Sequence, residues 1–509
     1  MSAPTSHLGA SYWQNFEINS ADIQNLISFL FEKEQPLSLD ELARVLVHKR
    51  LDDLAREQKN EREQAGQIYY PELTYLPDTK LVFPEFNWKS GTVKSVRPGI
   101  NPDLGNFDVI TVLFDDKTQK ELVANLPNHT INEIDYQAAN AEEMNADAIL
   151  ASNGTEIKSK LRAHLERQKD LIRIGATWFP KSLLIDINKG QLNLAEAILD
   201  SQEGGPMETK NLLQQLEYPS DPETENLLEF SMNYALQEDS RFDEVGTAGR
   251  FSWFLKRLEP ENVLEVPLYL RLTTKPDLYQ EFDEDTQKMF DSLNDELSFP
   301  DERLDEKPGL THTSVTLSYP HWRAGSLPIT PTTHAIFPTA LETSHIKIAF
   351  RDEQTGELIS VWVVRPNKYV IGLREWYLSQ NLIPGSIVEI GTTPDPGLLT
   401  IQPRKKRSNK EWIKTVLVGA DGGLVIALLR QSIYAGFSDR MAIAIPDVEG
   451  IDALWQDRAR KTLPLKTDVN RMFSELAKLN NQRHVHFVDL YAAINVIRRT
   501  TPQNLFEVL

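Results

Sequence analysis

Ile23, Leu26, Ile27 and Leu30 recur at helical spacing, and Leu39, Leu42, Ala43 and Leu46 repeat the pattern after a break at Pro36. Two helices are therefore expected within residues 20–57. Ser38 and Glu41 stand three apart at the start of the second, the spacing at which each side chain reaches the other's backbone amide. The period then changes. Residues 81–83, 107–114 and 120–124 are rich in β-branched and aromatic side chains, and residues 91–99 place a short alternating strand between two glycines. Several short strands with turns between them predict a small antiparallel barrel. Residues 141–175 read as a charged helical connector, with Arg162, Arg167, Lys169 and Arg173 either on a solvated face or along a phosphate-binding stripe. Three helices are expected next, with Leu194, Ala195, Ile198 and Leu199 lining the first, residues 207–216 forming the second and 223–236 the third. A hairpin punctuated by Gly246 and Gly249 follows them. Residues 330–402 return to strands, at 346–350, 358–364, 382–390 and 398–401, with a short helix near Trp376. The tail, 415–509, is expected to be helical.

Parts of this order resemble known modules. Three helices followed by the run from Asp239 through Phe242, Val245 and Gly246 to Phe251, Trp253, Phe254 and Leu255 resembles the wing of the HARE-HTH family. That family includes the N-terminal domain of the bacterial RNA polymerase delta subunit. The resemblance implies a winged helix tied to transcription or chromatin, with Phe242 and Trp253 pinning the wing to the helices, and it implies no catalyst. Gly91, Val93, Val96, Arg97 and Gly99 resemble the KOW-type barrels of transcription elongation and ribosomal proteins. The helix, Pro36 turn and capped helix resemble the first half of a helix-turn-helix, or equally a plain helical hairpin. The hairpin, Trp376 helix and Pro384-Gly385 strand resemble the DNA-binding pseudobarrel of plant transcription factors and restriction-enzyme effector domains.

Composition narrows the chemistry. The 509 residues contain no cysteine, which excludes disulfides, thiolate metal sites and cysteine nucleophiles. The most apolar stretch, 415–429, is too short and too interrupted to span a bilayer, so a cytoplasmic protein without membrane contact is expected. Net charge is −20, which by itself argues against coating nucleic acid. The charge is uneven, however. Residues 277–306 hold 12 acidic side chains against Lys288 and Arg303, whereas Arg404, Lys405, Lys406, Arg407, Lys410 and Lys414 crowd into eleven positions together with Trp412. Clustered cations are what phosphate contact needs; a solvated linker, or pairing with the protein's own acidic stretch, are the alternatives. The third helix of the winged-helix-like segment carries Glu223, Glu225, Glu229 and Glu238 and no Lys or Arg, which favours protein contact or a structural role there.

No phosphate loop, dinucleotide fingerprint, zincin motif or nucleophile elbow occurs, and Gly419 and Gly423 flank a plain turn. His484 and His486 lack neighbouring ligands. No catalytic residue, metal or cofactor is therefore expected. The fold class expected is α+β and multi-domain, with winged-helix-type helical domains alternating with small antiparallel β-barrels. The segments are a helix-turn-helix-like domain (1–70), a KOW-like barrel (71–140), a helical connector (141–190), a HARE-like winged helix (191–270), an acidic linker (271–310), a pseudobarrel-like domain with a basic exit segment (311–414) and a helical domain (415–509). The expected function is non-catalytic: a modular DNA-binding or transcription-associated protein, in which the six basic residues contact DNA. RNA polymerase or another protein is a further expected partner, through the acidic stretch. The alternatives are an acidic interaction scaffold without nucleic-acid contact, or a nuclease with a degenerate motif.

Overall fold

The computed structural model describes residues 12–509 apart from 14, 102, 104, 135–145, 219–221, 223, 279, 301–309, 341–342, 420–422 and 462. Contacts divide the chain into two compact units, 1–185 and 186–509. Among the described residues no helix is long and apolar enough to cross a membrane.

In the first unit, α1 (Ser20–Lys33) is capped by Asn19, whose side chain accepts from the Asp22 amide while the Asp22 carboxylate accepts from the Asn19 amide, both at 2.9 Å. The strand β1 (Leu37–Ser38) leads into α2 (Leu39–Ala65). The expected capping box is present: the Glu41 amide donates to Ser38 Oγ at 3.2 Å, and the Ser38 amide donates to Glu41 Oε2 at 2.7 Å. The segment expected to be a connector instead completes this unit. Its helix α3 (Ala146–Leu165) turns Ile157, Leu161 and Leu165 onto the same core as Leu26, Leu30, Leu42 and Leu46. The hairpin of β7 (Leu171–Ile174) and β8 (Thr177–Pro180) adds Leu171 and Trp178, and β8 pairs antiparallel with β1. Of the four connector cations, Arg162, Arg167 and Lys169 are exposed, and Arg173 pairs with Glu166.

Between α2 and α3 the chain inserts five strands, β2 (Gln67–Ile68), β3 (Lys80–Phe83), β4 (Lys89–Pro98), β5 (Asp108–Phe114) and β6 (Gln119–Ala124), paired in that order. Leu81, Phe83, Val93, Ile110, Val112 and Phe114 fill their core. Gly91 is required there by packing, because a Cβ on it would lie 2.6 Å from Val112 Cγ1.

The second unit opens with α4 (Lys189–Asp200), β9 (Met207–Glu208), α5 (Thr209–Gln215), α6 (Glu225–Glu238), β10 (Phe242–Glu244) and β11 (Ser252–Leu255), with a sheet order of β10-β11-β9. The expected start of the third helix, Glu223, lies outside the described residues. Phe242 and Trp253 are buried. The Trp253 indole donates to Asn233 Oδ1 at 2.9 Å and Thr209 Oγ1 at 3.1 Å, so the hairpin is tied to two helices by a buried polar contact.

The first unit has the same plan. Each reads helix, two-residue strand, helix, third helix and hairpin, and in each the short strand pairs antiparallel with the last strand. The register matches as well: Leu37 faces Trp178 and Met207 faces Trp253, each short strand preceded by a proline and each tryptophan followed by phenylalanine. The chain thus carries one plan twice, the first copy interrupted by the five-stranded sheet.

The acidic segment is solvated at Asp277, Glu281, Asp283, Glu284, Asp285 and Asp291 but folded into the unit further on. It contains α7 (Glu284–Leu293), with Phe290 buried, and continues into a buried run that includes Asp295, Glu296, Ser298 and Phe299. Arg499 sits between the two acids, at 2.8 Å from Asp295 Oδ2 and 2.7 Å from Glu296 Oε1. His321 Nε2 lies 3.2 Å from the other Glu296 oxygen, and the Tyr491 hydroxyl donates to Asp295 at 2.5 Å. Residues 301–309 of the stretch lie outside the described residues.

Seven strands follow: β12 (His312–Thr316), β13 (Ser326–Pro328), β14 (His345–Asp352), β15 (Leu358–Val364), β16 (Tyr369–Ile371), β17 (Ile387–Thr392) and β18 (Leu398–Pro403), ordered β12-β17-β18-β14-β15-β16-β13. Only the β14–β18 pair in this sheet is parallel. Val315 and Leu327, from the two edge strands, share one core with Ile346, Phe350, Val361, Val388 and Ile401, as in a sheet rolled toward a barrel. The helices α8 (Tyr319–Ala324) and α9 (Arg374–Ser379) pack on it, and the Trp376 indole donates to Asp352 at 2.7 Å. Gly385 has φ +93°, and a Cβ there would meet Ala442 Cα at 2.4 Å, so the Pro-Gly turn is the place where the next sheet comes against this one.

The tail is not purely helical. Residues after the seventh strand form a long hairpin, β19 (Lys405–Val418) and β20 (Leu424–Ala435), with β21 (Ile443–Ala444) parallel to β19. Both faces of β19 are covered at residues 413–416, where Lys414 and Thr415 are buried beside Ile413 and Val416. Only then come α10 (Val448–Arg460), α11 (Leu465–Ala477), α12 (Phe487–Ile497) and α13 (Pro502–Phe506). Three residues of the predicted turn, 420–422, lie outside the described residues.

Candidate nucleic-acid interface

The six basic residues do not form a loose exit segment. Five of them lie on β19, and strand geometry separates them. Arg404, just before the strand, donates from Nε to Glu389 Oε1 at 3.0 Å. Lys406 pairs with Glu411 at 3.1 Å and stands 4.0 Å above the Phe437 ring. Lys414 is buried, with its ammonium held by the Arg440 carbonyl and by Asp489. Burial lowers its pKa from the ordinary lysine value, and Asp489 opposes that shift. These three cations are committed to the protein's own oxygens. Lys405, Arg407 and Lys410 are exposed, and no ion pair joins them to another of the described residues.

From Asn409 onward the hairpin is in continuous register, so positions two apart share a face and directly paired residues point the same way. Lys410 pairs with Ser432, Trp412 with Arg430, and Lys414 with Leu428. Alternation along β20 adds Tyr434 to the same side. At the core end this face is covered, with Val416, Leu424 and Ile426 packed inside. In the middle of the ribbon it is open: Trp412 is 66% exposed, Tyr434 54% and Leu428 42%. Lys410 and Arg430 are exposed between them, without acidic partners among the described residues. The one acid described on the ribbon, Glu411, points to the opposite face, where it neutralises Lys406.

Trp412 is the exposed one among nine tryptophans; Trp88 is half-buried and the other seven are buried. Exposed rings thus stand beside exposed cations on this face. Residues 404–435 hold seven basic side chains against Glu411 and Asp421, in a chain of net charge −20.

Two residues of this face, Arg430 and Tyr434, escape a reading by charge clusters. Arg430 follows two leucines and stands alone, and only the cross-strand register places it beside Trp412. No protein-family model, curated protein or solved structure matches the chain.

Proposed function

We propose that this protein binds DNA, without catalysis, through the open face of the β19–β20 ribbon. Lys410, Arg430 and the unpaired Lys405 and Arg407 supply phosphate contacts, and Trp412 and Tyr434 supply ring faces. A two-stranded ribbon has the width of the major groove, and such ribbons read DNA in several known architectures. The observation that carries the reading is the open middle of this face, where exposed rings alternate with Lys410 and Arg430, cations without acidic partners among the described residues, on an otherwise acidic protein. The two helix–strand–helix–helix–hairpin units support a modular architecture of winged-helix type, on element order and strand pairing alone. The helix α6 carries three glutamates and no Lys or Arg, so that unit contributes protein contact or scaffolding. The burial of Asp295 and Glu296 weighs against an acidic arm free to dock on a basic partner.

The exposure of a single tryptophan on the face provides the test. Duplex and single-stranded oligonucleotides titrated into the full chain at low salt should quench the Trp412 emission, and a Trp412→Phe variant should retain binding by anisotropy while losing most of the quench. An absence of both binding and quenching at low salt refutes the proposal. Quenching by single strands only would keep the surface and replace the duplex, because stacked bases on exposed rings recognise single strands.

A further inference from the structure

A second cluster of functional side chains lies far along the chain from the ribbon. Asp243 is the middle residue of β10, Glu259 ends the turn after β11, and His345 opens β14. His345 Nε2 lies 2.9 Å from Asp243 Oδ2 and 3.4 Å from Glu259 Oε1, and one ligand atom from each of the three lies within 4.8 Å of the others. The backbone fixes this approach: the Lys347 amide donates to the Val245 carbonyl at 2.9 Å, joining β14 to the end of β10. The Trp362 ring, 5.8 Å from the imidazole, closes one side.

The cluster is built around a buried carboxylate. The Glu259 side chain is 0% exposed, and neither of its oxygens accepts a hydrogen bond. His345 Nε2, although close to both acids, makes no aligned hydrogen bond either. Burying a carboxylate without donors costs several kcal/mol unless a cation compensates it. A protonated His345 compensates one of the two acids, and the second is neutral only where Glu259 keeps its own proton, which burial favours. A divalent cation with a neutral imidazole compensates both.

Distances agree with the second occupant. Around a tetrahedral ion with ligand bonds of about 2.0–2.1 Å, ligand atoms lie about 3.3 Å apart, close to the two separations found here. The other imidazole nitrogen, Nδ1, is 3.2 Å from Ser344 Oγ, an outer contact of the kind that orients metal-bound histidines. The side chains of Asp243 and His345 keep 26% and 14% exposure, which leaves an open side for a water ligand. We propose that Asp243, Glu259 and His345 form a divalent transition-metal site of the zinc type, which pins the β10–β11 hairpin to the first strand of the hairpin β14–β15. An imidazole ligand favours zinc over magnesium or calcium.

The test uses the full chain stripped with a chelator and then given zinc or magnesium chloride. One zinc per chain by calorimetry, with a rise in melting temperature that magnesium does not reproduce, supports the site. The variants His345→Ala and Glu259→Gln should each weaken zinc binding by more than about 100-fold, beyond the effect of losing an outer contact, and Ser344→Ala by about 10-fold. If the alanine variant does not fold, visible absorption of bound cobalt(II) in the wild-type chain reads the same geometry directly. No stoichiometric zinc, undiminished zinc binding in Glu259→Gln, or a cobalt spectrum of purely aqueous type overturns the proposal.

Discussion

Replacing Arg499 by methionine tests whether the acidic segment is held as described. The guanidinium sits 2.8 and 2.7 Å from Asp295 and Glu296, and all three residues are at most 5% exposed. Methionine fills most of the volume and removes the charge. Asp295 keeps the Tyr491 hydroxyl and Glu296 keeps His321, so the acids lose their shared counter-charge without losing every partner. Breaking a buried pair by removing one member costs about 3–5 kcal/mol, and the remaining partners place the expected loss near the lower end. Urea unfolding of the full chain at neutral pH measures it. The pH dependence provides a second reading. Burial raises the Glu296 pKa, but Arg499 and His321 outweigh it and hold the carboxyl well below the ordinary carboxylate range. Its contribution is therefore present above the unfolded carboxylate pKa and is lost as pH falls through the lower folded value. In Arg499→Met burial dominates, Glu296 takes up a proton more readily, and the deficit relative to wild type should shrink between about pH 7 and about pH 4. A loss below about 1 kcal/mol that does not change with pH would refute the reasoning, because surface pairs behave that way.

Other perturbations follow from the same structure. Ser38→Ala removes the hydroxyl that accepts from the Glu41 amide and should cost the first unit about 1 kcal/mol in thermal or urea unfolding; an unchanged midpoint would contradict the capping role. In chelator-treated protein the His345 pKa is raised above the ordinary histidine value to about 9, by Asp243 first and Glu259 second. Its contribution should therefore be complete below the unfolded value and fade as pH rises through about 9, with Lys256 near Asp243 the other charge facing the cluster. Melting temperatures of the wild type and His345→Gln across that range check this, and parallel curves would contradict it.

Much of the local architecture was legible in the sequence because it rests on near neighbours. The capping box at Ser38, the strands around Val93 and Ile110, and the three helices ending in the Trp253 hairpin each follow from periodicity or from caps within a few residues. What could not be read locally was pairing over long separations. Asp295 and Glu296 resemble solvated acids until Arg499, some 200 positions on, is placed between them. The helix at 146–165 resembles a connector because its partners Leu26 and Leu42 lie beyond an inserted sheet. Residues 415–429 hide their strands because apolar side chains stand on the exposed positions as well, at Val425, Leu428 and Leu429, so their period carries no signal. At the candidate interface, clustering counted cations that the fold had already neutralised. Lys406 and Lys414 meet acids of their own protein, while Arg430 gains its place only through register with Trp412. Asp243, Glu259 and His345 come from three separate segments, and no local spacing joins them.

Attachment of DNA to the ribbon face is tested most directly by the salt dependence of duplex binding, measured for the wild-type chain and for a Lys410→Gln, Arg430→Gln double variant. Each neutralised phosphate contributes about 0.9 to the slope of log affinity against log salt, so the double variant should bind more weakly and lose about 1.8 from the wild-type slope. Equal slopes and affinities in the two proteins, or no duplex binding by the wild type at low salt, would contradict the account.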